Sequence, residues 1–283
     1  MEPQTVKQYQ ISYSNQLTDD FALDITAYFK DMYNLVGLAY IVPSTGIFNT
    51  PYSVFQTNDY GNARGVEFTL RKMATDNIGL NLSYAFSRAR GTSTSAESQY
   101  RLVILGGNDE YSGEKVFPAT EYFLAFDRTH RINAFVDFVW GDNEGPTVGG
   151  LKLLEHSHIN FTAFYQTGTP FTLYGPKGGQ VGEYLGSRQP SSWRVDSRIE
   201  RDIPLSDLFG ESMGNSVLTL FADIINVFNR TEPIAYYQRG GSPDRDGNVL
   251  DRQIGDFSPV PWYRDGDATN PASVNATQYD SYG

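Results

Sequence analysis

A chain of 283 residues with no cysteine excludes disulfides and thiolate chemistry, and 40% hydrophobic with 14% aromatic content excludes a disordered protein. A formal charge of −11, from 22 basic against 33 acidic residues with no basic cluster, excludes nucleic acid as a partner. There is no apolar run long enough for a transmembrane helix. Membrane strands stay open, because each needs only about 9–11 residues of alternating polarity.

The first residues, Met1-Glu2-Pro3-Gln4-Thr5, lack the positive and apolar regions of a signal peptide. The sequence therefore reads as one whose natural start lies upstream. Eight segments then show a period of two, which puts alternate residues on opposite faces of a strand. In Gln8–Gln16 the apolar set is Tyr9, Ile11 and Tyr13; in Phe21–Asp31 it is Phe21, Leu23, Ile25, Ala27 and Phe29. Gly65–Lys72 carries Val66, Phe68 and Leu70; Ile78–Ser87 carries Ile78, Leu80, Leu82, Tyr84 and Phe86. Arg131–Trp140 carries Ile132, Ala134, Val136, Phe138 and Trp140; His158–Thr167 carries Ile159, Phe161, Ala163 and Tyr165. Trp193–Asp202 carries Trp193, Val195 and Ile199; Ser216–Phe228 carries Leu218, Leu220, Ala222 and Ile224. The intervening positions are rich in Ser, Thr, Asn and Gln. No sustained apolar stripe at helical spacing exists, and only Pro204–Phe209 and Leu151–Glu155 read as short helical turns.

The connections alternate in length. Leu17–Asp20 and Ala74–Asn77 are tight; Gly141–Ser157 and Ile203–Asn215 are intermediate. Asn34–Arg64, Gly91–Thr129, Thr167–Ser192 and everything after Asn229 are long and hold most of the Gly, Pro, Asp and Asn. Long loops always at the same end of a meander suit an outer-membrane barrel, with short periplasmic turns and long extracellular loops. The abundance of Tyr, Phe and Trp suits aromatic girdles at the membrane interfaces. The competing fold is a soluble antiparallel β protein with core-in, water-out alternation, such as a carbohydrate- or ligand-binding sandwich.

Several segments resemble the C-terminal half of the barrel of TonB-dependent outer-membrane receptors, in particular the subgroup with a carboxypeptidase-regulatory-like N-terminal domain. Gln8-Tyr9-Gln10-Ile11-Ser12-Tyr13, Leu17-Thr18-Asp19-Asp20 and Leu23 through Asp31 resemble its recurrent hairpin. Asn62-Ala63-Arg64-Gly65-Val66-Glu67-Phe68 resembles its G-x-x-R-G-x-E strand entry, and Leu80 through Ser87 the strand that follows. Asp127-Arg128-Thr129-His130-Arg131-Ile132-Asn133 resembles a D-x-x-H-x-x-N strand start. Tyr165-Gln166-Thr167-Gly168-Thr169-Pro170-Phe171 resembles Y-x-S-G-x-P-Y, with Thr167 and Phe171 as departures, and Asn226-Val227-Phe228-Asn229 matches N-x-F-N. The resemblance covers Tyr9–Asn229.

It implies an all-β antiparallel meander of about eight strands, part of a transmembrane barrel whose parent has about 22 strands around a plug. Residues 1–229 would be partial barrel, and 230–283 a long extracellular loop or tail cut before the closing strand. The implied activity is energy-coupled uptake of a large or scarce substrate across the cell outer membrane. The implied partners are outer-membrane lipid, the plug and remaining strands of the parent, TonB through the missing N-terminal part, and a small-molecule, glycan or peptide ligand. No enzyme activity, cofactor or metal is implied.

Candidate lumen-lining residues are Glu67, Arg71, Asp137 and Arg198. Candidate ligand contacts in the loops are Tyr100, Tyr111, Tyr174, Tyr184, Tyr236, Tyr237 and Trp262, since amphipathic rings bind sugars, peptides and organic chelates. Arg64 and Glu67 are either an ion pair in the wall or a solvated rim pair. Gly65 reads as a strand start without a Cβ at a crowded rim. Asp127, Arg128 and His130 read as a hydrogen-bonded loop-to-strand junction, not a triad, because no activated nucleophile accompanies them. Asn226 and Asn229 read as strand-end residues bonding the backbone. Asp244-Arg245-Asp246-Gly247-Asn248 has oxygen ligands at alternate positions, but position 12 of a calcium loop would be Gly255, so a solvated turn is the better reading. His156 and His158 would share a strand face yet have no evident third metal ligand. Glu97, Asp109, Glu110, Glu114 and Glu121 read as a solvated acidic loop; a glycoside hydrolase would need two of them held at a defined separation.

Overall fold

The computed structural model of the chain describes residues 2–41, 51–98, 107–114, 121–175, 178–210, 212, 214–233, 236–239 and 243. Along the chain run β1 (Thr5–Gln16), β2 (Phe21–Ile41), β3 (Tyr52–Thr75), β4 (Ile78–Gly91), β5 (Tyr122–Phe123), β6 (His130–Trp140), β7 (Thr147–Val148), β8 (Leu151–Lys152) and β9 (Ser157–Gln166). They are followed by β10 (Pro170–Phe171), β11 (Leu173–Tyr174), β12 (Gln180–Val181), β13 (Ser187–Arg188), β14 (Ser192–Pro204), the short helix α1 (Leu205–Phe209) and β15 (Val217–Ile224). One antiparallel sheet carries the fold in the order β1-β2-β3-β4-β6-β9-β14-β15, with β5 added to β4. The remaining sheets, β7-β8, β10-β13 and β11-β12, are two-stranded ribbons in the connections.

All eight strands expected from alternation are present, and their register keeps the two faces separate. Tyr13 pairs with Ile25, Ile25 with Phe68, Phe68 with Tyr84 and Tyr84 with Ile132. The row continues through Tyr165 to Trp193. Its neighbours repeat the rule: Leu23–Leu70–Leu82–Ala134–Ala163–Val195 is another apolar row. A one-residue slip anywhere would send apolar side chains to the polar face, so the pattern itself fixes the register. At the Asp76-Asn77 turn both residues have positive φ, 51° and 65°, which matches the twist of the strands it joins.

Among the described residues the sheet has no core beneath it: the buried hydrophobic ones are Tyr122, Leu124, Phe171 and Leu185, all in the long connections. Meanwhile Ile11 is 74% exposed and Leu220 53%, both on the apolar face. Among the described residues, no second sheet or helix covers that face.

Three expectations need correction. Asn34–Arg64 is not a loop: β2 extends to Ile41 and β3 begins at Tyr52, so only residues 42–51 connect them. The pairing passes a bulge at Met32/Leu35, where Asn34 takes φ 56°. Leu151–Glu155 is not helical; Leu151 and Lys152 form a ribbon strand with Thr147 and Val148, before a turn. The last strand ends at Ile224, where Asp196 Oδ1 accepts the N–H of Asn226 at 2.7 Å, outside the ladder. The other expected helical turn is there, as Leu205–Phe209.

Candidate functional site

The polar face of the sheet brings the four sequence-selected charged residues to one side. Arg71 pairs with Asp24, its neighbour one row along on β2. Asp137 Oδ1 is met by His158 Nε2 at 2.7 Å and accepts the Asn160 amide at 3.0 Å. His158 Nδ1 in turn lies 3.7 Å from Glu200 Oε2. Arg198 pairs with Glu200 and reaches both carboxylate oxygens of Asp223 at 3.2 Å. Thr219 donates to Asp202 at 2.6 Å, and Ser12 and Thr26 share a bond of 3.1 Å. Glu67 stands opposite Thr26 and Ala85 on the same face. Cross-strand pairing thus builds an acid–base ladder from β6 to β15. These groups are partly solvated, and such pairs contribute about 0–1 kcal/mol each. The ladder therefore makes a wettable surface rather than the glue of the fold.

Rings also sit on this face. Arg198 stacks over Phe221 at 4.5 Å and Arg194 over Phe164 at 5.6 Å. An open depression of about 560 Å³ is lined in part by Asn81, Ser83, Arg131, Asn133, Phe135, Thr162, Phe164 and Gln166. Arg64 and Glu67 do not pair. Arg64 shares the face of Val66 and Phe68, while Glu67 shares that of Thr69 and Arg71, because residues three apart on a strand point opposite ways.

At the long-connection end, loops are held by charge as well as by packing. Asp127, whose side chain is 0% exposed, pairs with Arg188 and accepts the Ala89 N–H at 2.5 Å. Arg188 lies over Phe123 at 4.8 Å, and Arg90 approaches the same ring at 5.0 Å. Tyr122 meets Tyr184 edge-on at 4.9 Å and donates to Thr92 O at 2.9 Å. Burial pushes the Tyr122 phenol well above its ordinary pKa. A second patch joins residues 107–114 to the β11-β12 ribbon: Gln180 is buried, and Glu110 accepts the Gly179 N–H at 2.7 Å. The Asp109 carboxylate accepts the N–H groups of Ser112 and Tyr111, at 2.7 and 3.0 Å, which hold its pKa below the usual carboxylate range.

The loop tyrosines divide. Tyr184 is built into the loop core, and Tyr174 N–H donates to Gln238 O at 3.2 Å. Tyr111 and Tyr237 are exposed, at 85% and 50%, and Tyr236 is half-buried. Tyr100, Trp262 and the Asp244–Asn248 segment lie outside the described residues. His156 and His158 do not share a strand face. His156 sits in the turn at φ 54° with Nδ1 3.2 Å from Asp142, and His158 faces Asp137. Sequence reading missed Arg188 and Phe123 as the other half of the Asp127 junction. No local pattern joins positions 61 residues apart.

No family model and no curated protein matches the sequence. Among solved structures the chain is similar to the Ferric-Catecholate import receptor Fiu from K12 E. coli, with 12% identity and a TM-score of 0.45 over 85% of this chain and 26% of that one. It is also similar to the outer membrane transporter YddB from Escherichia coli, with 12% identity and a TM-score of 0.49 over 80% of this chain and 29% of that one. The chain thus spans between a quarter and a third of either structure.

What the geometry offers chemically is two unlike surfaces back to back and a folded rim of loops. One face is apolar and bare; the other is charged, hydrogen-bonded and open. Among the described residues no group of three or more His, Asp or Glu side chains converges as a metal site would require.

Proposed function

We propose that this chain is a stretch of the barrel wall of a TonB-dependent outer-membrane receptor, working in energy-coupled uptake of a substrate too large or scarce for porins. The observation that carries the reading is the uncovered apolar face, continuous through eight paired strands. Its two central rows, from Tyr13 to Trp193 and from Leu23 to Val195, hold no charged side chain, and the cations on this face stand at its margins, Arg64 opposite Phe29, Lys72 opposite Leu80 and Arg201 opposite Leu220. Seven strand spacings of about 4.8 Å and some six residue rises of about 3.4 Å make a face of about 34 by 20 Å, roughly 700 Å². Soluble monomers rarely leave more than a few hundred Å² of contiguous apolar surface in water. Lipid tails resolve the problem, and the height suits the apolar band of about 25 Å on membrane barrels. Trp140 at the short-turn rim and Tyr165 and Trp193 at the long-loop rim occupy girdle positions.

In this reading the opposite face lines the lumen, with Glu67, Arg71, Asp137 and Arg198 facing a plug. The free edges of β1 and β15 pair with further strands of the parent, because an open edge is a template for aggregation. The long connections choose the ligand, with Tyr111 and Tyr237 as the exposed rings and Tyr174, Tyr184 and Tyr236 shaping the rim. Tyr100 and Trp262 join them as proposed contacts. TonB acts through another part of the parent chain.

The test is fractionation of the full-length protein that carries this sequence, with two readouts. It should enter the outer membrane with the heat-modifiable gel mobility of a barrel, and it should crosslink in cells to TonB. A water-soluble, heat-insensitive species would overturn the membrane reading. An inserted barrel that never crosslinks to TonB would overturn the TonB-dependent assignment alone.

A further inference from the structure

Beyond the apolar band, on the same face and towards the long connections, the sequence changes character. The next outward positions are Lys7 on β1, Arg64 on β3 and Arg88 on β4. Arg64 and Arg88 are direct cross-strand partners, following Val66 and Phe86 by one row. Directly opposed side chains have Cβ atoms about 4.5–5.5 Å apart, and like charges so placed repel. Both arginines are exposed, and neither makes a hydrogen bond or ion pair among the described residues. Arg88 only leans over the Phe86 ring at 5.5 Å.

The nearby acids do not answer them. Asp31 is taken by the hydroxyls of Tyr33 and Tyr60, each at 3.0 Å, and Glu121 accepts the Asn62 amide at 2.9 Å. Cations at the opposite rim of the same face behave differently. Lys72 is held by the carbonyls of Thr75 and Ile78, each at 2.7 Å, and Arg201 donates to Leu153 O at 2.8 Å. The short-turn rim satisfies Lys72 and Arg201 internally, while the long-loop rim holds two guanidinium groups side by side with no anion on them among the described residues. This sits in a protein of net charge −11, where acidic partners are plentiful.

We propose that Arg64 and Arg88 form a binding site for the phosphate headgroup of an outer-leaflet glycolipid whose acyl chains lie along Val66, Phe68, Tyr84 and Phe86. The inference rests on the membrane reading above, which puts the long connections outside. Two adjacent guanidinium forks match phosphate geometry, and charge-assisted bonds to phosphate are about twice as strong as neutral ones. The lipid is favoured over free phosphate because the arginines border the apolar surface, where one molecule satisfies both.

The experiment is native mass spectrometry of the full-length protein in detergent, offered diphosphorylated lipid A, dephosphorylated lipid A of the same acyl composition, or inorganic phosphate. Wild-type protein should retain the diphosphorylated lipid over the dephosphorylated one by about tenfold or more. Arg64→Gln with Arg88→Gln should abolish that preference and leave retention of the dephosphorylated lipid unchanged. Equal retention of both lipids by wild type, or an undiminished preference in the double variant, would overturn the site. Retention of inorganic phosphate alone would overturn the lipid assignment. The wild-type comparison needs no variant to fold. A wild-type protein that inserts but shows no preference defeats this proposal only, whereas one that never inserts defeats the membrane reading.

Discussion

Tyr28 lies over Gly65 on the polar face, so that a Cβ on Gly65 would stand 2.7 Å from the Tyr28 hydroxyl oxygen. The same Cβ would come within 2.5 Å of the Phe86 carbonyl oxygen. Gly65 therefore does not mark a strand start at the rim; it sits well inside β3 and makes room for a ring from one neighbour and backbone from the other. Gly65→Ala should cost about 1–3 kcal/mol, the usual range for overpacking. Tyr28→Ala in the same chain should recover only part, because the Phe86 carbonyl cannot move aside. The urea midpoint of the protein folded in detergent checks both.

Asp127 and Arg188 tie β4, β6 and β13 together at the long-connection end. Removing one partner of a buried pair leaves the other charge stranded, at about 3–5 kcal/mol. Arg188→Leu strands the fully buried Asp127 carboxylate and should fall within that range, whereas Asp127→Ala strands only the partly solvated Arg188. The charge left behind in Asp127→Ala should therefore cost less, although that variant also frees the Ala89 N–H. Limited proteolysis should show new cuts in 167–191 before any loss of the strands.

Ala134 and Asn133 are adjacent on β6 and point to opposite faces. Ala134→Arg should destabilise the bilayer-folded protein by about 2–4 kcal/mol, the cost of a cation on the lipid side near mid-depth. Asn133→Arg should change stability by no more than about 0.5 kcal/mol, as on a wetted surface. Equal effects from the two would contradict the assignment of faces.

Acid should loosen the 107–114 loop. The Asp109 pKa is lowered in the folded state by the Ser112 and Tyr111 N–H groups. Its contribution is thus fully present above the ordinary Asp pKa and is lost as pH falls through the lowered one. Protection of the Tyr111 and Ser112 amides, taken relative to the intrinsic exchange rate at each pH, should fall below pH ~4 in wild type and be low at every pH in Asp109→Ala.

The eight strands were legible because each has one face of uniform polarity, which imprints a period of two. Where that uniformity ends, so does legibility. The outer halves of β2 and β3 place Tyr33, Asn34, Asn58, Asp59 and Tyr60 in mixed surroundings, so backbone pairing and the Asn34 bulge shape them without an alternating signature. Asn226 was legible because its chemistry is local: its side chain bonds both the N–H and the carbonyl of Arg230, four residues on, at 2.9 Å. The Asp127–Arg188 contact and the rim arginines depend on which segments meet in space. Composition is blind to that. The supposed Arg64–Glu67 pair failed for a simpler reason, since spacing by three suits a helix surface and not a strand.

The most direct test of the whole account uses the absence of cysteine from the sequence. Single cysteines at Val66, Glu67, Phe68, Thr69, Leu70 and Arg71, spin-labelled in the full-length protein reconstituted into bilayers, report contact with lipid-soluble oxygen or with a water-soluble nickel chelate. Positions 66, 68 and 70 should favour oxygen and 67, 69 and 71 the chelate, alternating residue by residue. Chelate access at Val66, Phe68 and Leu70, or no alternation at all, would contradict a wall with lipid on one side and water on the other.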